Sequence, residues 1–201
     1  MTRTRFLTAF LAPVAVVSLS GCGINSIPTA EEEAKARWAD VQNQYQRRAD
    51  LIPNLVETVK GYAAQEKSVL TQVTEARARA TQVTVSPEQL SDPEAMRRFS
   101  QAQGALSSAL IPFQRLQEAY PDLKSNQNFL ALQSQLEGTE NRITVARGDY
   151  NKAVQAYNTR IRTFPDVIGA KVFYGAEPMV PFQATTPNAE TAPKVNFGAS
   201  Q

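Results

Sequence analysis

Histidine is absent from all 201 residues, and cysteine and tryptophan occur once each. Without histidine the chain lacks the commonest general base and the commonest metal ligand, so Ser-His and Cys-His nucleophile pairs are excluded. A lone cysteine, Cys22, forms neither an intramolecular disulfide nor a structural zinc site. Charge of one sign is lacking too. Of the 21 basic residues two, Arg3 and Arg5, lie in a leader segment that contains no acid, and the remainder equal the 19 acidic residues in number. A neutral mature chain lacks the basic excess that phosphate backbones require, so nucleic acid is not the expected partner. The 42% hydrophobic and 20% charged content lies near the globular average, which suits one folded domain with appendages.

The first stretch reads as an address. Arg3 and Arg5 form a basic start, and Phe6 to Leu19 is apolar or small apart from Thr8 and Pro13. That run is shorter than the ~20 apolar residues of a spanning helix and suits a signal peptide, residues 1–21. It ends in Leu19-Ser20-Gly21-Cys22, a match to the bacterial lipobox, which implies cleavage before Cys22 and acylation of its thiol. Acyl chains at ~0.8 kcal/mol per buried methylene hold a protein on a leaflet. Gly23 stands where an Asp would resemble an inner-membrane retention signal, so the outer membrane is favoured in a Gram-negative host. Residues 22–30 read as the lipidated cysteine and a tether.

From Glu31 a ~3.5-residue apolar repeat begins, the mark of a helical bundle or coiled-coil seam. Its first run is Trp38, Val41, Tyr45, Ile52, Leu55, Val59, Tyr62, Val69, Val73, Ala76 and Ala80, with charges at Arg48 and Glu66. Pro53 lies inside it and predicts a kink. Thr84 to Pro93 is the first clear loop, with two helix-start signals, Ser86-Pro87-Glu88-Gln89 and Asp92-Pro93-Glu94. A second helix carries Phe99, Ala102, Leu106, Ala109, Phe113, Leu116 and Tyr120, with a second kink expected at Pro112. A third runs from about Asp122 to Phe164 on Phe129, Leu132, Leu136, Ile143, Tyr150, Val154, Tyr157, Ile161 and Phe164, with Glu140 in a seam position. The expected fold is all-α, an elongated antiparallel up-and-down bundle over residues 31–164. It has three long helices, the first kinked at Pro53 to supply a fourth segment. After Phe164 the period fails. Residues 165–182 read as an extended segment packing through Val167, Phe173, Tyr174 and Phe182, and residues 183–201 as an irregular, disordered tail.

The polar residues of interest are Arg47, Arg48, Asp50 and Pro53 on the first helix and Glu140 and Arg142 on the third. Seam charges at matching phase predict an ion pair between Arg48 and Glu140, which adds little stability but fixes helix register. The alternative is a polar cleft for a partner or ligand. Glu137, Glu140 and Asp149 do not make a di-metal site, because helical sites of that kind rely on Glu-x-x-His pairs. No cofactor, metal or catalytic residue is therefore expected. The tyrosine series at helical spacing is expected to be core with hydroxyls at the rim.

Several stretches resemble the LemA family: Arg47 to Ala63, Tyr120 to Phe129, Leu136 to Ile143, Ala146 to Asn151, Tyr157-Asn158-Thr159, and Phe164-Pro165. The resemblance implies a membrane-tethered helical bundle outside the cytoplasm, without known catalysis. It also implies association with membrane metalloproteases or other envelope proteins, and one relative is implicated in magnetosome membrane biogenesis. Two departures stand out. The family is usually held by a transmembrane helix rather than a lipobox, and its usual His-Glu after the first motif is Gln65-Glu66 here. The expected function is a lipid-anchored envelope scaffold that recognises a protein partner through a helix face, with self-association into oligomers open. The alternative is a membrane-shaping protein that oligomerises on a leaflet.

Overall fold

Apolar residues recurring every three or four positions need a partner surface, and in the computed structural model, which describes residues 25–183, they find it in one another. Helix α1 spans Ser26–Lys60, α2 Lys67–Gln82, α3 Pro93–Ala119, the short α4 Pro121–Lys124, and α5 Gln127–Arg160. A last short helix, α6, covers Asp166–Gly169 and continues into a π-type turn, Ala170–Tyr174. Among the described residues there is no strand, and the chain is an all-α bundle. Helix α1 packs chiefly on α5, and α2 on α3. Contacts such as Trp38 with Tyr150 and Tyr62 with Asn126 run α1 against α5, while Arg77 reaches back to Ala49, so neighbours in sequence alternate in direction.

The fourth segment exists, but it does not arise at Pro53. Helix α1 continues through that proline and stops at Gly61–Glu66, where the Ala63 amide donates to the Val59 carbonyl at 2.8 Å. The reason lies one turn upstream. Proline has no amide to give the carbonyl four residues before it, that of Ala49. Arg77 Nε of α2 donates to that carbonyl at 2.7 Å, so the orphan is satisfied and the helix goes on. Pro112 likewise lies inside an uninterrupted α3. Tyr62, expected in the seam, lies at the helix end and is exposed, and Ala63 is buried instead.

Other boundaries also differ. Helix α1 begins at Ser26, inside the stretch expected to be tether, and Ile27 is fully buried. Pro28 is tolerated because amides of a first helical turn have no intrahelical acceptor. Asp92 caps α3, its Oδ1 accepting from the Glu94 amide at 2.8 Å, while Ser86-Gln89 caps a 3-10 turn, Pro87–Gln89. Helix α5 starts at Gln127, capped by Asn126, and ends before Phe164, which is exposed. The segment expected to be extended from residue 165 is helical over 166–174. Phe173 and Tyr174 are exposed, whereas Phe182 is buried as expected, with Met179 beside it in the core. The leader, the Leu19-Ser20-Gly21-Cys22 lipobox and the tail beyond residue 183 lie outside the described residues.

The core has two parts. One gathers Trp38, Tyr45, Phe99, Tyr150 and Phe182 with the aliphatics around them, and the other Ile52, Val59, Val73, Phe113, Phe129 and Leu136 with theirs. In the first, Phe182 lies 5.7 Å from the Trp38 ring, 6.2 Å from Phe99 and 6.1 Å from Tyr150. Each large apolar side chain withdrawn from water contributes ~1.5–3 kcal/mol.

Candidate functional site

Arg48, Gln103 and Thr139 are the polar side chains that the described residues bury almost completely. They lie between the two apolar clusters, where α1, α3 and α5 face one another. Arg48 Nη1 donates to Glu140 Oε1 at 2.9 Å and to Ser107 Oγ at 2.8 Å. Its Nη2 donates to Gln103 Oε1 at 2.7 Å and to the Gln103 carbonyl at 3.2 Å. Gln103 Nε2 in turn reaches the Ala80 carbonyl of α2 at 3.1 Å, so one guanidinium and one amide join all four long helices. The guanidinium also lies 5.0 Å from the Tyr45 ring centroid. Arg48 Nε has no partner. Arg48 is 1% exposed as a side chain and Glu140 41%, so the pair has one dry end and one wet end.

Arg48 and Glu140, singled out from their seam positions, are thus brought together. The other four are not part of this layer. Arg47 and Pro53 are exposed, Asp50 accepts from Gln46 one turn back at 2.8 Å, and exposed Arg142 donates to Thr139 Oγ1 at 3.0 Å.

A groove of about 610 Å³ opens over this layer, because α3 and α5 scarcely touch. Its α3 wall carries the small residues Ser100, Gly104, Ser107 and Ser108 together with Gln101, Gln103 and Ile111, and its α5 wall carries Glu140, Ile143, Thr144 and Arg147. Tyr45 and Arg48 line it as well. Ser107 Oγ donates to its own helix at the Gln103 carbonyl, 3.2 Å away, and accepts from Arg48. Among the described residues no three carboxylates converge. The groove offers shape, hydroxyls and one ion pair, which suits recognition of a helix or an extended peptide.

The later part of the segment expected to be extended does pack on the bundle, and only its fastening was not foreseen. Residues 175–183 form a strap along α5, held by two asparagines seven positions apart. Asn158 Nδ2 donates to the Met179 carbonyl at 2.8 Å, and its Oδ1 accepts from the Met179 amide at 2.9 Å. Asn151 does the same for Phe182, at 3.0 and 2.7 Å. Seven helical residues rise ~10.5 Å and three extended residues cover ~10 Å, so the two spacings match. Tyr150 adds a bond from its hydroxyl to the Val180 carbonyl at 2.9 Å, and the Val180 amide donates to Leu90 at 2.8 Å. Burial raises the Tyr150 phenol well above its ordinary value. The sequence signal was the Asn-x₆-Asn spacing on one helix face.

At the opposite end, Tyr120 Oη donates to Glu66 Oε1 at 2.9 Å and accepts from Gln65 Nε2 at 2.9 Å. The Glu66 carboxylate raises the pKa of this phenol.

The sequence profile of the LemA family matches residues 37–197. The chain belongs to the LemA family. Two magnetosome proteins of Paramagnetospirillum magneticum, MamQ 1 and MamQ 2, are each 26% identical to it over 171 residues, covering 77% of this chain and 63% of theirs. Protein LemA of Metamycoplasma hominis is 24% identical over 140 residues, 70% of this chain and 60% of its own. This LemA family chain thus spans less than two thirds of the length of these relatives. Its motif stretches map onto the devices described above. Arg47 to Ala63 supplies the buried arginine and the satisfied proline. Tyr120 to Phe129 closes the far tip, and Ala146 to Asn151 with Tyr157-Asn158-Thr159 holds the strap.

Proposed function

We propose that this LemA family chain is a non-catalytic scaffold of the bacterial cell envelope, acylated at Cys22 and facing away from the cytoplasm. It takes an envelope protein partner into the groove between α3 and α5. The observation that carries this reading is the groove itself. It lies between α3 and α5, is lined in part by small residues of α3, and is underlain by the Arg48–Glu140 pair. Small residues let a partner backbone come close, and a half-dry ion pair rewards one polar group in the right register. A membrane metalloprotease is the partner class that family resemblance implies, and outer-membrane placement follows from Gly23 in a Gram-negative host.

A second reading places copies of the chain side by side on a leaflet as a membrane-shaping protein. The magnetosome relatives support it. One experiment separates the two. A photo-crosslinking residue at Ser108 is installed in the full chain in its own membranes, with Cys22→Ala as the mislocalised control. The scaffold reading expects one envelope protein joined at Ser108 and lost in the control. Recovery of copies of the chain alone overturns it in favour of the second reading.

A further inference from the structure

Among the described residues, large apolar side chains are exposed most densely along one short stretch. Phe164 is 80% exposed, Val172 and Phe173 68% each, Ile168 55% and Tyr174 41%. Exposed apolar residues elsewhere, such as Ile111 and Val145, occur singly and are ordinary. Ile168 and Val172 are four residues apart in the helical run 166–174, so they share one face, and exposed Phe164 stands just before the run. The opposite face is tied down. Gly169 and Ala170 are buried, and a Cβ at Gly169 would meet Ile27 Cδ1 at 3.5 Å. The apolar face therefore points outward because the small face is the one that packs.

Its position gives it a partner. Ser26 Oγ donates to Asp166 Oδ2 at 2.6 Å, and Arg160 Nη1 reaches the Ser26 carbonyl at 3.5 Å, so the run is fastened to the first turn of α1. Cys22 precedes Ser26 by four residues, which at full extension span at most ~14 Å. A leaflet that holds Cys22 is therefore within reach of the exposed face and at high effective concentration beside it. Charge agrees. Arg160, Arg162 and Lys171 are exposed in or beside the run against one exposed acid, Glu177, while Asp166 accepts from Ser26 and Glu31, Glu32 and Glu33 of α1 are paired with Lys35 and Arg37.

We propose that residues 164–174 are a membrane-docking foot. Phe164, Ile168, Val172 and Phe173 enter the boundary between headgroups and acyl chains, and Arg160, Arg162 and Lys171 meet lipid phosphates. Phospholipid is the partner, and the foot sets the bundle's attitude on the leaflet. This inference rests on the anchoring of Cys22 for its proximity argument.

The test uses the full acylated chain, whose own cysteine is blocked by lipid, with Phe173→Cys or Val145→Cys carrying an environment-sensitive fluorophore. Each is reconstituted into vesicles of phosphatidylethanolamine and phosphatidylglycerol with brominated acyl chains. Apolar faces of interfacial helices lie ~5–10 Å deep, so quenching at Phe173→Cys is expected to exceed that at Val145→Cys by about twofold or more. Replacing phosphatidylglycerol with phosphatidylcholine weakens it. Equal, weak quenching at both sites on vesicle-bound protein overturns the foot while leaving the anchor intact. Protection of the Phe173 fluorophore that persists in detergent, without lipid quenching, also overturns it and assigns the face to a second protein copy. Mass measurement of the N-terminal peptide reads the anchor separately, and a chain without acyl groups sinks that reading whichever way the fluorophore answers.

Discussion

At the scale of single residues, two side chains answer needs created elsewhere in the chain. Arg48 is charged and almost dry, and its partners Gln103, Ser107 and Glu140 are arranged around it rather than around water. Removing it strands the buried Gln103 amide while half-exposed Glu140 stays in water, so Arg48→Ala is expected to lose ~1–3 kcal/mol of unfolding free energy. Replacing the dry end as a whole, with Arg48→Met and Gln103→Leu together, is expected to cost less than the single change, because no charge or side-chain amide is stranded and only the Ala80 carbonyl loses its donor. Urea midpoints of the two variants decide the point, and a double variant worse than Arg48→Ala would show that the layer stabilises as well as specifies. Arg77 answers Pro53. Arg77→Ala strands the Ala49 carbonyl and is expected to cost ~1–3 kcal/mol. In Pro53→Ala the new amide can take that carbonyl itself, so Arg77→Ala should cost little in that background. A double-mutant cycle measures the coupling, and additive effects would mean that the carbonyl never depended on Arg77.

At the scale of elements, the strap shows how one helix face can hold an irregular segment without a sheet. Each asparagine of α5 gives one strap residue the donor and acceptor that a neighbouring strand would give. Tyr150 lies beneath the strap, and its titration reports on it. Burial raises its phenol above the ordinary 10.0, so the folded chain keeps a proton that the unfolded chain has lost. Stability from the neutral phenol is therefore complete below pH ~10 and drains away as pH rises beyond it. Tyr150→Phe is expected to lose ~1 kcal/mol near neutrality with its bond to Val180, and to show a shallower fall in alkali. Unfolding midpoints on either side of pH ~10 test both halves, and a parallel alkaline fall in the variant would assign that loss to another group. The long helices and the Arg48–Glu140 meeting were legible in the sequence because period and phase are properties of one chain read alone. Of the strap, the extended course and the anchor Phe182 were legible, but its fastening by Asn151 and Asn158 was not, since side-chain bonds to a distant backbone carry no period. The break after Lys60 was hidden for a related reason. A proline advertises a broken helix, and the repair of that break by Arg77 is a tertiary fact.

At the scale of the molecule, the bundle is polar in the sense of having two different ends. One gathers the first turn of α1, the end of α5 and the exposed apolar run 164–174, and the other is closed by Tyr62, Glu66, Tyr120 and Asn126. Helix α1 is 35 residues long, so the ends are ~50 Å apart. The two functional readings place that length differently. A scaffold anchored at Cys22 and standing on its foot carries the far tip ~50 Å from the leaflet and leaves the α3–α5 groove free along its side. A membrane shaper lies along the leaflet, with tip and foot at similar height. Energy transfer from a donor at Lys60→Cys in the acylated full chain to acceptor lipids in the outer leaflet distinguishes them, because transfer falls steeply with distance. Weak transfer from Lys60→Cys beside strong transfer from Phe173→Cys is the expected result. Strong transfer from both would lay the bundle flat, turn one of its long faces to lipid, and move the functional assignment from partner recognition to the membrane itself.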